Sequence, residues 1–408
     1  MIFLGVDWGE KQHDLHLVDE SGESLGRARI PNSFEGIRRL HELVAAHTEN
    51  VEQVQVGIET DHGLLVEALV GCGYQIYPIN PKVAHRNREE ESLSGAKSDR
   101  ADARMLANIV RTKRHSLRPI SHDSPSVRAI KLLARRHKDV VRARQRVVNT
   151  LRSALLEFYP AALEAFGKDL GGRDSLAILQ YAPTPEQARR LRPNKLVSAL
   201  RQGGRQRNLE QQAEHLMKVF HQRQLEQPAA LTAAYGKIVA SAVRELRHYD
   251  QELAQLEREA PEATQEHPDA EIYRSLPGLG FTLSARVLGE FGDDQTRFPH
   301  PKQRKVVAGT APVTKQSGKF RYVHRRYVTN KGLLDDCMQW AFCSLTHSPG
   351  ARAYYDRLRG PDGKKRSHRA ALRALANRWV GILDGCLRHR TLYDEQIAWP
   401  PPPEEAAA

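Results

Sequence analysis

The chain has 408 residues, of which 27% are charged, and its excess of Lys and Arg gives a net charge of +13 and a pI near 9.6. This excess indicates a polyanionic partner such as nucleic acid, although total charge alone also fits a basic protein that has none. The four cysteines form no CxxC pair, which argues against a zinc ribbon or a disulfide framework, and no apolar run approaches the roughly 20 residues of a membrane span.

The first 113 residues predict a mixed α/β domain. Three strand patterns come first ("IFLGVD", "DLHLVDE", "LGRARI"), then a helix ("NSFEGIRRLHELVAAH"), a strand ("VEQVQVGIE"), a helix ("GLLVEALVGCG"), a strand ("YQIYPIN") and a helix ("KSDRADARMLANIVRT"). Asn32 or Ser33 is the expected cap of the first helix. A meander followed by alternating helices and strands is typical of a mixed sheet.

A long basic helix is predicted next, with Ser124 as its cap and Pro125 at its first position. Between Arg128 and Arg152 there are nine Lys or Arg and one acid, Asp139. A helix with one apolar and one basic face can follow a phosphate backbone, and the alternative is an ordinary solvated face. The candidate nucleic-acid contacts on this helix are Arg135, Arg136, Lys138, Arg142 and Arg146.

The middle of the chain carries weaker signals. Residues 167–208 are rich in Gly, Pro and Arg, which predicts a loop-rich linker, and residues 209–262 return to helix. A short heptad-like repeat there fits either a coiled-coil arm or an α-hairpin. The following stretch "SLPGLGFTLSARVLGEFGD" has the form of a helix-hairpin-helix, whose backbone amides can contact phosphate, although any glycine-containing αα turn looks similar.

Residues 313–332, "VTKQSGKFRYVHRRYVTNKG", combine one serine, Ser317, with dense positive charge. From Lys302 to Lys331 there are nine Lys or Arg and no acid, a composition that repels itself unless a polyanion is bound. We expect the following cations to hold a phosphodiester: Lys315, Lys319, Arg321, Arg325 and Arg326.

The hydroxyl of Ser317 needs a base before it can act as a nucleophile. No carboxylate is nearby in sequence, and His324 is a possible local base whose reach the sequence leaves open. The alternative role of Ser317 is a turn hydroxyl that caps a backbone amide. Phe320, Tyr322 and Tyr327 could stack on unpaired bases, but for each of them packing against a core is the favoured expectation.

Four upstream carboxylates are candidates for a metal site: Asp7 and Glu59 at predicted strand ends, and Asp99 and Asp102 on one face of a helix. Carboxylates that come together repel unless a cation neutralises them, and an all-oxygen site suits Mg²⁺ or Mn²⁺. Each acid also has an ordinary role, as an Asx turn, a surface acid, a helix cap or an ion-pair partner.

The blocks "GVDWGEKQHDLHLVDE", "VGIETDHGLL" and "KSDRADARMLA" resemble those of a RuvC-like, ribonuclease-H-type domain. With "RFPHPKQRKVVAGTAPVTKQSGK" and "GLLDDCMQWAFCSL", the chain resembles the DEDD transposases of bacterial insertion sequences, a group that includes the Piv-type invertases. The resemblance covers about residues 1–160 and 270–390. It implies a RuvC-like catalytic domain (1–158) that includes the basic helix, and a mainly α C-terminal transposase domain (269–390) with a helix-hairpin-helix-like segment. Between them, the residue pattern predicts a helical linker or coiled-coil arm (159–268), and the end of the chain, "WPPPPEEAAA", predicts a disordered tail (391–408).

The resemblance also implies a function. The four acids of the family match Asp7, Glu59, Asp99 and Asp102, and its nucleophilic serine matches Ser317. The expected protein is a bacterial, cytoplasmic DNA recombinase that excises and inserts its element through serine-linked DNA, uses Mg²⁺ or Mn²⁺, is guided by a structured RNA and acts as a homo-oligomer, a dimer or a tetramer. Two alternatives remain open: a junction-resolving metal nuclease that uses water, and a non-catalytic nucleic-acid-binding protein.

Overall fold

The structure, a computed structural model, describes residues 1–91, 99–120, 123–318, 320–327 and 329–400, with only the backbone described at 90–91, 99–100 and 260–261. Of the segment predicted to be a disordered tail (391–408), residues 401–408 lie outside this description, whereas residues 391–400 are described and contain a short helix, Glu395–Ala398. The chain divides into two compact units, residues 1–122 and residues 123–408. Because this division comes before the basic helix, that helix belongs to the second unit. The domain boundary predicted near residue 158 therefore lies within the second unit.

The first unit is a mixed α/β structure built on one five-stranded sheet. Its elements are β1 (Ile2–Asp7), β2 (Gln12–Val18), β3 (Ser24–Pro31), α1 (Phe34–Ala45), β4 (Val54–Ile58), α2 (Leu64–Gly71), β5 (Gln75–Pro78), α3 (Pro81–Glu91) and α4 (Asp99–Lys113). The strand order is β3-β2-β1-β4-β5, with β1, β4 and β5 mutually parallel and the β1–β2–β3 meander antiparallel. The predicted order of elements is confirmed, and α3 is an addition to it.

The two faces of this sheet are covered by different helices. Leu4 and Val6 point into a core that contains residues of α1 and α2, whereas Phe3 packs with residues of α4. Gly5 lies on the α4 face, where the backbones of β1 and α4 approach closely. Glycine is required there because a Cβ would lie 1.8 Å from the carbonyl oxygen of Ala103. Helical spacing predicts an apolar stripe on α4, and its four residues are buried: Ala103, Leu106, Ala107 and Val110.

In its described residues, the second unit is helical except for one hairpin. Its elements are α5 (Pro125–Phe158), α6 (Pro160–Phe166), α7 (Arg173–Tyr181), α8 (Pro185–Arg189), α9 (Pro193–Gln202), α10 (Leu209–Phe220), α11 (Ala229–Gln265), α12 (Ala270–Ser275), α13 (Phe281–Phe291), α14 (Pro301–Val307), β6 (Val313–Ser317), β7 (Phe320–His324), α15 (Lys331–Ser344), α16 (Pro349–Arg359), α17 (His368–His389) and α18 (Glu395–Ala398). Short 3₁₀ turns lie at Val51–Gln53 and Arg114–Ser116 in the first unit and at Gln295–Arg297 in the second.

The two longest helices, α5 and α11, pack against each other in antiparallel orientation. An ion pair joins Arg136 to Glu252, and near the other end of the two helices Phe158 stacks on Tyr235. The heptad-like repeat of α11 therefore contacts α5 of the same chain, within a core shared with α6–α10. Ser124 caps α5 as predicted, since its hydroxyl accepts a hydrogen bond from the Val127 amide.

The prediction of a loop-rich linker at residues 167–208 is wrong. Helices α7, α8 and α9 occupy most of this stretch, and Leu176, Leu196 and Leu200 are buried in the same core as α10. Pro185 and Pro193 lie at the first positions of α8 and α9, where a missing amide costs nothing. The prolines therefore mark helix starts.

The turn predicted as part of a helix-hairpin-helix joins α12 to α13, and it is packed inside the second unit. Gly278 has a φ of +80°, and a Cβ there would lie 2.5 Å from the backbone nitrogen of Ser344 in α15. Trp340 donates a hydrogen bond to the carbonyl of Pro277 at 2.9 Å. Across the described residues, no helix combines the length and the apolar character that crossing a membrane requires.

Candidate active site and nucleic-acid interface

Two of the predicted acids lie side by side at the carboxyl edge of the sheet. Val6 pairs with Ile58 across the parallel strands β1 and β4, so the next residues, Asp7 and Glu59, come level at strand spacing, about 4.8 Å. Asp7 continues the alternation of Phe3 and Gly5 and points to the α4 face. Both carboxylates are half-buried.

The N-terminal end of α4 points toward the same edge. Ala103 lies over Gly5, whereas the guanidinium of Arg114, just past the helix, lies 5.4 Å from the Phe3 ring, so α4 runs antiparallel to β1. Asp102 is buried and accepts a hydrogen bond from Nε of Arg88 at 2.8 Å. The side chain of Asp99 lies outside the described residues, and its backbone begins α4.

The donor chemistry of this edge fits a hard divalent cation. Asp7, Glu59 and Asp102 offer only carboxylate oxygens, the ligands that Mg²⁺ and Mn²⁺ prefer. The carboxylate of Asp102 is held by Arg88, which competes with a metal for it. Among the side chains described, no three of His, Cys, Asp and Glu are grouped closely enough to hold a metal. The four-acid site therefore stays a prediction, with Asp99 as its undescribed member.

Ser317 lies at the tip of the exposed β6–β7 hairpin. It pairs with Phe320 across the turn, and Gly318 supplies the positive φ of +55° that the turn needs. Its hydroxyl is exposed and makes no hydrogen bond with any described residue, so the alternative role as an amide cap is not observed there.

His324 lies at the other end of the same hairpin. It pairs with Val313, four residues along β6 from Ser317, a separation of about 13 Å at strand rise. Its ring packs between Tyr322 and Tyr327, with ring centroids 5.6 Å away on each side. His324 is therefore out of hydrogen-bond reach of Ser317 in this conformation.

The hairpin has no buried face. Phe320, Tyr322 and Tyr327 are 71%, 54% and 65% exposed, so the expectation that they pack against a core is wrong. The charged residues are equally open: Lys315, Arg321 and Arg325 are exposed, Arg326 is half-buried, and none of these four forms an ion pair with a described carboxylate. Lys319, the remaining predicted contact, lies outside the described residues.

The cations of α5 are placed differently. Arg135 forms a bidentate pair with Glu290 of α13 at 2.6 and 3.0 Å, and Arg136 binds Glu252 of α11 at 2.6 Å. Lys138 is buried and contacts Asp336 at 2.8 Å and Asp335 at 3.0 Å, both on α15. The two remaining predicted contacts on α5 are exposed: Arg142 lies 3.9 Å from Asp139, and Arg146 has no carboxylate partner among the described residues.

Comparison with known proteins supplies the family. Residues 4–160 match the DEDD transposase domain of IS110, and residues 270–356 match the transposase domain of the IS116/IS110/IS902 family. A Streptomyces coelicolor protein whose name calls it a transposase for the IS117 mini-circle is 41% identical over 410 residues, which cover 100% of this chain and 98% of the relative. The chain belongs to the IS110/IS116/IS902 family of transposases. Enzymes of this family act on DNA by strand cleavage and joining.

More distant members align over nearly their whole length. A protein of insertion element IS900 from Mycobacterium paratuberculosis is 28% identical over 96% of this chain and 97% of the relative. A protein of IS110 from Streptomyces coelicolor is 25% identical over 97% of this chain and 96% of the relative. The DEDD-type domain of this transposase suggests a divalent metal cofactor.

Burial and neighbouring charges have opposite effects on the pKa values of the carboxylates that pair with α5 of the transposase. Burial raises the pKa of Glu290, but hydrogen bonds from Arg135 and Asn330 and the charges of Arg135 and Lys131 outweigh it, so the net pKa is lowered. At Asp336 burial dominates and the pKa is raised in spite of the Lys138 ammonium. These carboxylates hold the α5 cations inside the second unit.

Several polar residues that were not among the predicted site residues lie beside the acid edge, the carboxyl edge of the sheet that carries Asp7 and Glu59. Asp14 pairs with Asp7 across β1 and β2 and accepts hydrogen bonds from Arg29 at 2.7 to 3.1 Å. His16 follows on the same face, opposite Gly5, and is 9% exposed. The alternation of Asp14 and His16 with Leu15 and Leu17 was a visible signal, because in a strand it places polar groups together on one face.

Proposed function

We propose that this transposase cuts and rejoins DNA with Ser317 as nucleophile and with Asp7, Glu59, Asp99 and Asp102 as ligands of Mg²⁺ or Mn²⁺. The position of Ser317 is the main support for this proposal. Its hydroxyl is exposed at a hairpin tip, and no base among the described residues is within hydrogen-bond reach of it. The described cations around it form no ion pair with a described carboxylate. A hydroxyl in this position needs its base and its metal chemistry from the acids of the first unit.

The strand order β3-β2-β1-β4-β5 supports a RuvC-like, ribonuclease-H-type fold for the first unit. In open sheets with parallel strands, ligands gather at the carboxyl ends of the strands, which here carry Asp7 and Glu59. Asp7 and Glu59, with Asp99 and Asp102, would hold a divalent cation at this edge, and the chemistry it would supply is stabilisation of charge on the phosphoryl oxygens and activation of the attacking oxygen.

The chemical step is a transesterification. Oγ of Ser317 forms a bond to the phosphorus, the bond from phosphorus to one strand oxygen breaks, the serine proton passes to a base and the leaving oxygen gains a proton. Lys315, Arg321, Arg325 and Arg326 would offset charge on the phosphoryl group. In the reverse step, a strand hydroxyl attacks the serine-linked phosphorus, which releases Ser317 and joins DNA.

The family resemblance supports two further parts of the proposal: a structured RNA from the element that specifies the DNA sites, and action as a homo-oligomer, a dimer or a tetramer. By analogy with other guided systems, base pairing between such an RNA and the DNA would supply the sequence specificity, so the protein would not need to recognise the target sequence itself. The exposed rings of Phe320, Tyr322 and Tyr327 are suited to stacking on unpaired bases.

A covalent adduct tests the serine mechanism. We expect wild-type protein incubated with element-end DNA, its RNA and Mg²⁺ to form a DNA–protein link that mass spectrometry maps to Ser317. Ser317→Ala should form none, whereas Thr314→Ala, an exposed hydroxyl on the same hairpin, should form wild-type amounts.

Two outcomes would favour the alternatives. Cleavage by Ser317→Ala without an adduct would indicate a nuclease that uses water. Absence of cleavage by wild type, with intact DNA binding, would indicate a nucleic-acid-binding protein without catalysis. Asp7→Asn should abolish cleavage and spare binding, and unchanged cleavage would refute the metal assignment.

A further inference from the structure

A cavity of about 400 Å³ opens on the α4 face of the first unit, between β2, β3 and the start of α4. The polar side chains that line it are Asp14, His16, Arg27, Arg29 and Arg104. At about 30 Å³ for a water molecule, it has room for about a dozen waters, enough for a phosphate group and its sugar.

Positive side chains outnumber negative ones among the residues that line this cavity. Arg29 is paired with Asp14 at 2.7 Å. Arg27 and Arg104 are exposed, and neither makes an ion pair or a side-chain hydrogen bond with any described residue. Two guanidinium groups, which carry five donors each, therefore line the same cavity without an acceptor from the described part of the chain.

A buried histidine adds a second, independent observation. His16 is 9% exposed, and its Nε2 is buried without a hydrogen-bond partner among the described residues. Buried polar atoms without partners are rare in folded proteins. Burial, followed by the charges of Arg104 and Arg27, lowers the pKa of His16. An anion between these groups would satisfy the two arginines and the imidazole together.

The position of the cavity indicates which anion it takes. His16 lies two residues along β2 from Asp14, which is the partner of Asp7, so it is about 7 Å from the acid edge. This distance equals the rise of about two stacked nucleotides. We propose that Arg27, Arg104 and His16 bind a phosphodiester of the DNA strand that enters the acid edge. The assignment of DNA rests on the proposed function.

Salt dependence of binding tests the pocket without any catalytic step. Full-length protein in EDTA is titrated onto a fluorescent single-stranded DNA oligonucleotide at several NaCl concentrations. We expect Arg27→Ala and Arg104→Ala each to reduce the slope of log K against log[NaCl] by about 0.7, and Arg104→Lys to retain most of it. The matched control is Arg38→Ala, an exposed arginine of the same unit that is already paired with Glu35 and Glu42.

A second readout reports on His16 itself. In full-length protein with ¹³C-labelled histidine, the His16 signal is assigned by its loss in His16→Gln. We expect its pKa to rise when the oligonucleotide binds, because a phosphate partly cancels the charges of Arg27 and Arg104. In the Arg27→Ala/Arg104→Ala double variant, the rise should be smaller.

Three results would overturn the inference: slopes equal to that of wild type in both alanine variants, a His16 pKa that DNA does not move, or slope losses seen only with an RNA oligonucleotide of the same sequence. The outcome is independent of the serine mechanism. If Ser317→Ala still forms the adduct, the proposed function fails while the pocket result stands.

Discussion

The basic helix α5 and the β6–β7 hairpin look alike in sequence and differ in the fold. Each lies in a stretch with nine Lys or Arg and at most one acid. In α5, Arg135, Arg136 and Lys138 find carboxylates on α13, α11 and α15. In the hairpin, the described cations find none. Local charge density therefore does not predict free positive charge, because partners distant in sequence can neutralise it.

The largest effect is expected at Lys138. Its removal leaves Asp336 buried, with Arg286 at 3.6 Å as its remaining cationic neighbour among the described residues. We expect Lys138→Ala to lower the free energy of unfolding by about 3 kcal/mol, measured by urea titration. The double variant Lys138→Met/Asp336→Leu should recover part of the loss, since it removes the buried carboxylate together with its ammonium partner, while buried Arg286 loses its neighbour Asp336. A loss below about 0.5 kcal/mol in the single variant would contradict this account of α5.

The hairpin should respond in the opposite way. Lys315→Ala/Arg321→Ala removes exposed charges that have no ion-pair partner within the described part of the chain, so the free energy of unfolding should change by less than about 0.5 kcal/mol. Duplex DNA binding should weaken, with the salt slope reduced by about 1.8 if both contact phosphate. Arg352→Ala, an exposed arginine paired with Asp356, serves as control. An unchanged slope would exclude the hairpin as a phosphate-binding surface.

The Arg135–Glu290 pair predicts a pH dependence of stability. Because the folded pKa of Glu290 is lowered below its usual value near 4.5, its charged form stabilises the fold above that value. This stabilisation is lost as pH falls through the folded pKa. The difference in unfolding free energy between wild type and Glu290→Gln should therefore be full at pH 6 and shrink below about pH 4.5. A difference that stays constant from pH 6 to pH 3.5 would show that the charge is not involved.

The smallest effects on stability are expected at Arg142 and Arg146. Both are exposed, and the single ion pair of Arg142 within the described residues is a long one, 3.9 Å to Asp139. Each alanine variant should change unfolding free energy by less than about 0.5 kcal/mol. If the basic face of α5 follows DNA, each should still reduce the duplex salt slope by about 0.9, whereas unchanged slopes would restrict DNA contact to the hairpin and other surfaces.

Local signals in the sequence predicted much of the fold. Hydroxyl caps at Ser33 and Ser124 and the stripe of α4 were identified because they depend on neighbours within one or two turns. Residues 167–208 were assigned wrongly, since proline and glycine mark the ends of short helices as well as loops. For the candidate site, the register of β1 and β4 agrees with the predicted proximity of Asp7 and Glu59. The polar face formed by Asp14 and His16 could be placed beside Asp7 only from the pairing of β2 with β1 in the folded structure.

The sequence alone determined the order of strands and helices in the first unit apart from α3, the identity of the candidate acids and serine, and the membership of the family, because these depend on local patterns and motif order. Tertiary structure decided which charges are free. The partners of Arg135 and Lys138 lie 155 and 198 residues away, and only folding brings them within hydrogen-bond distance. Electrostatic energy depends on separation in space and on burial, and neither can be read from a run of charged letters.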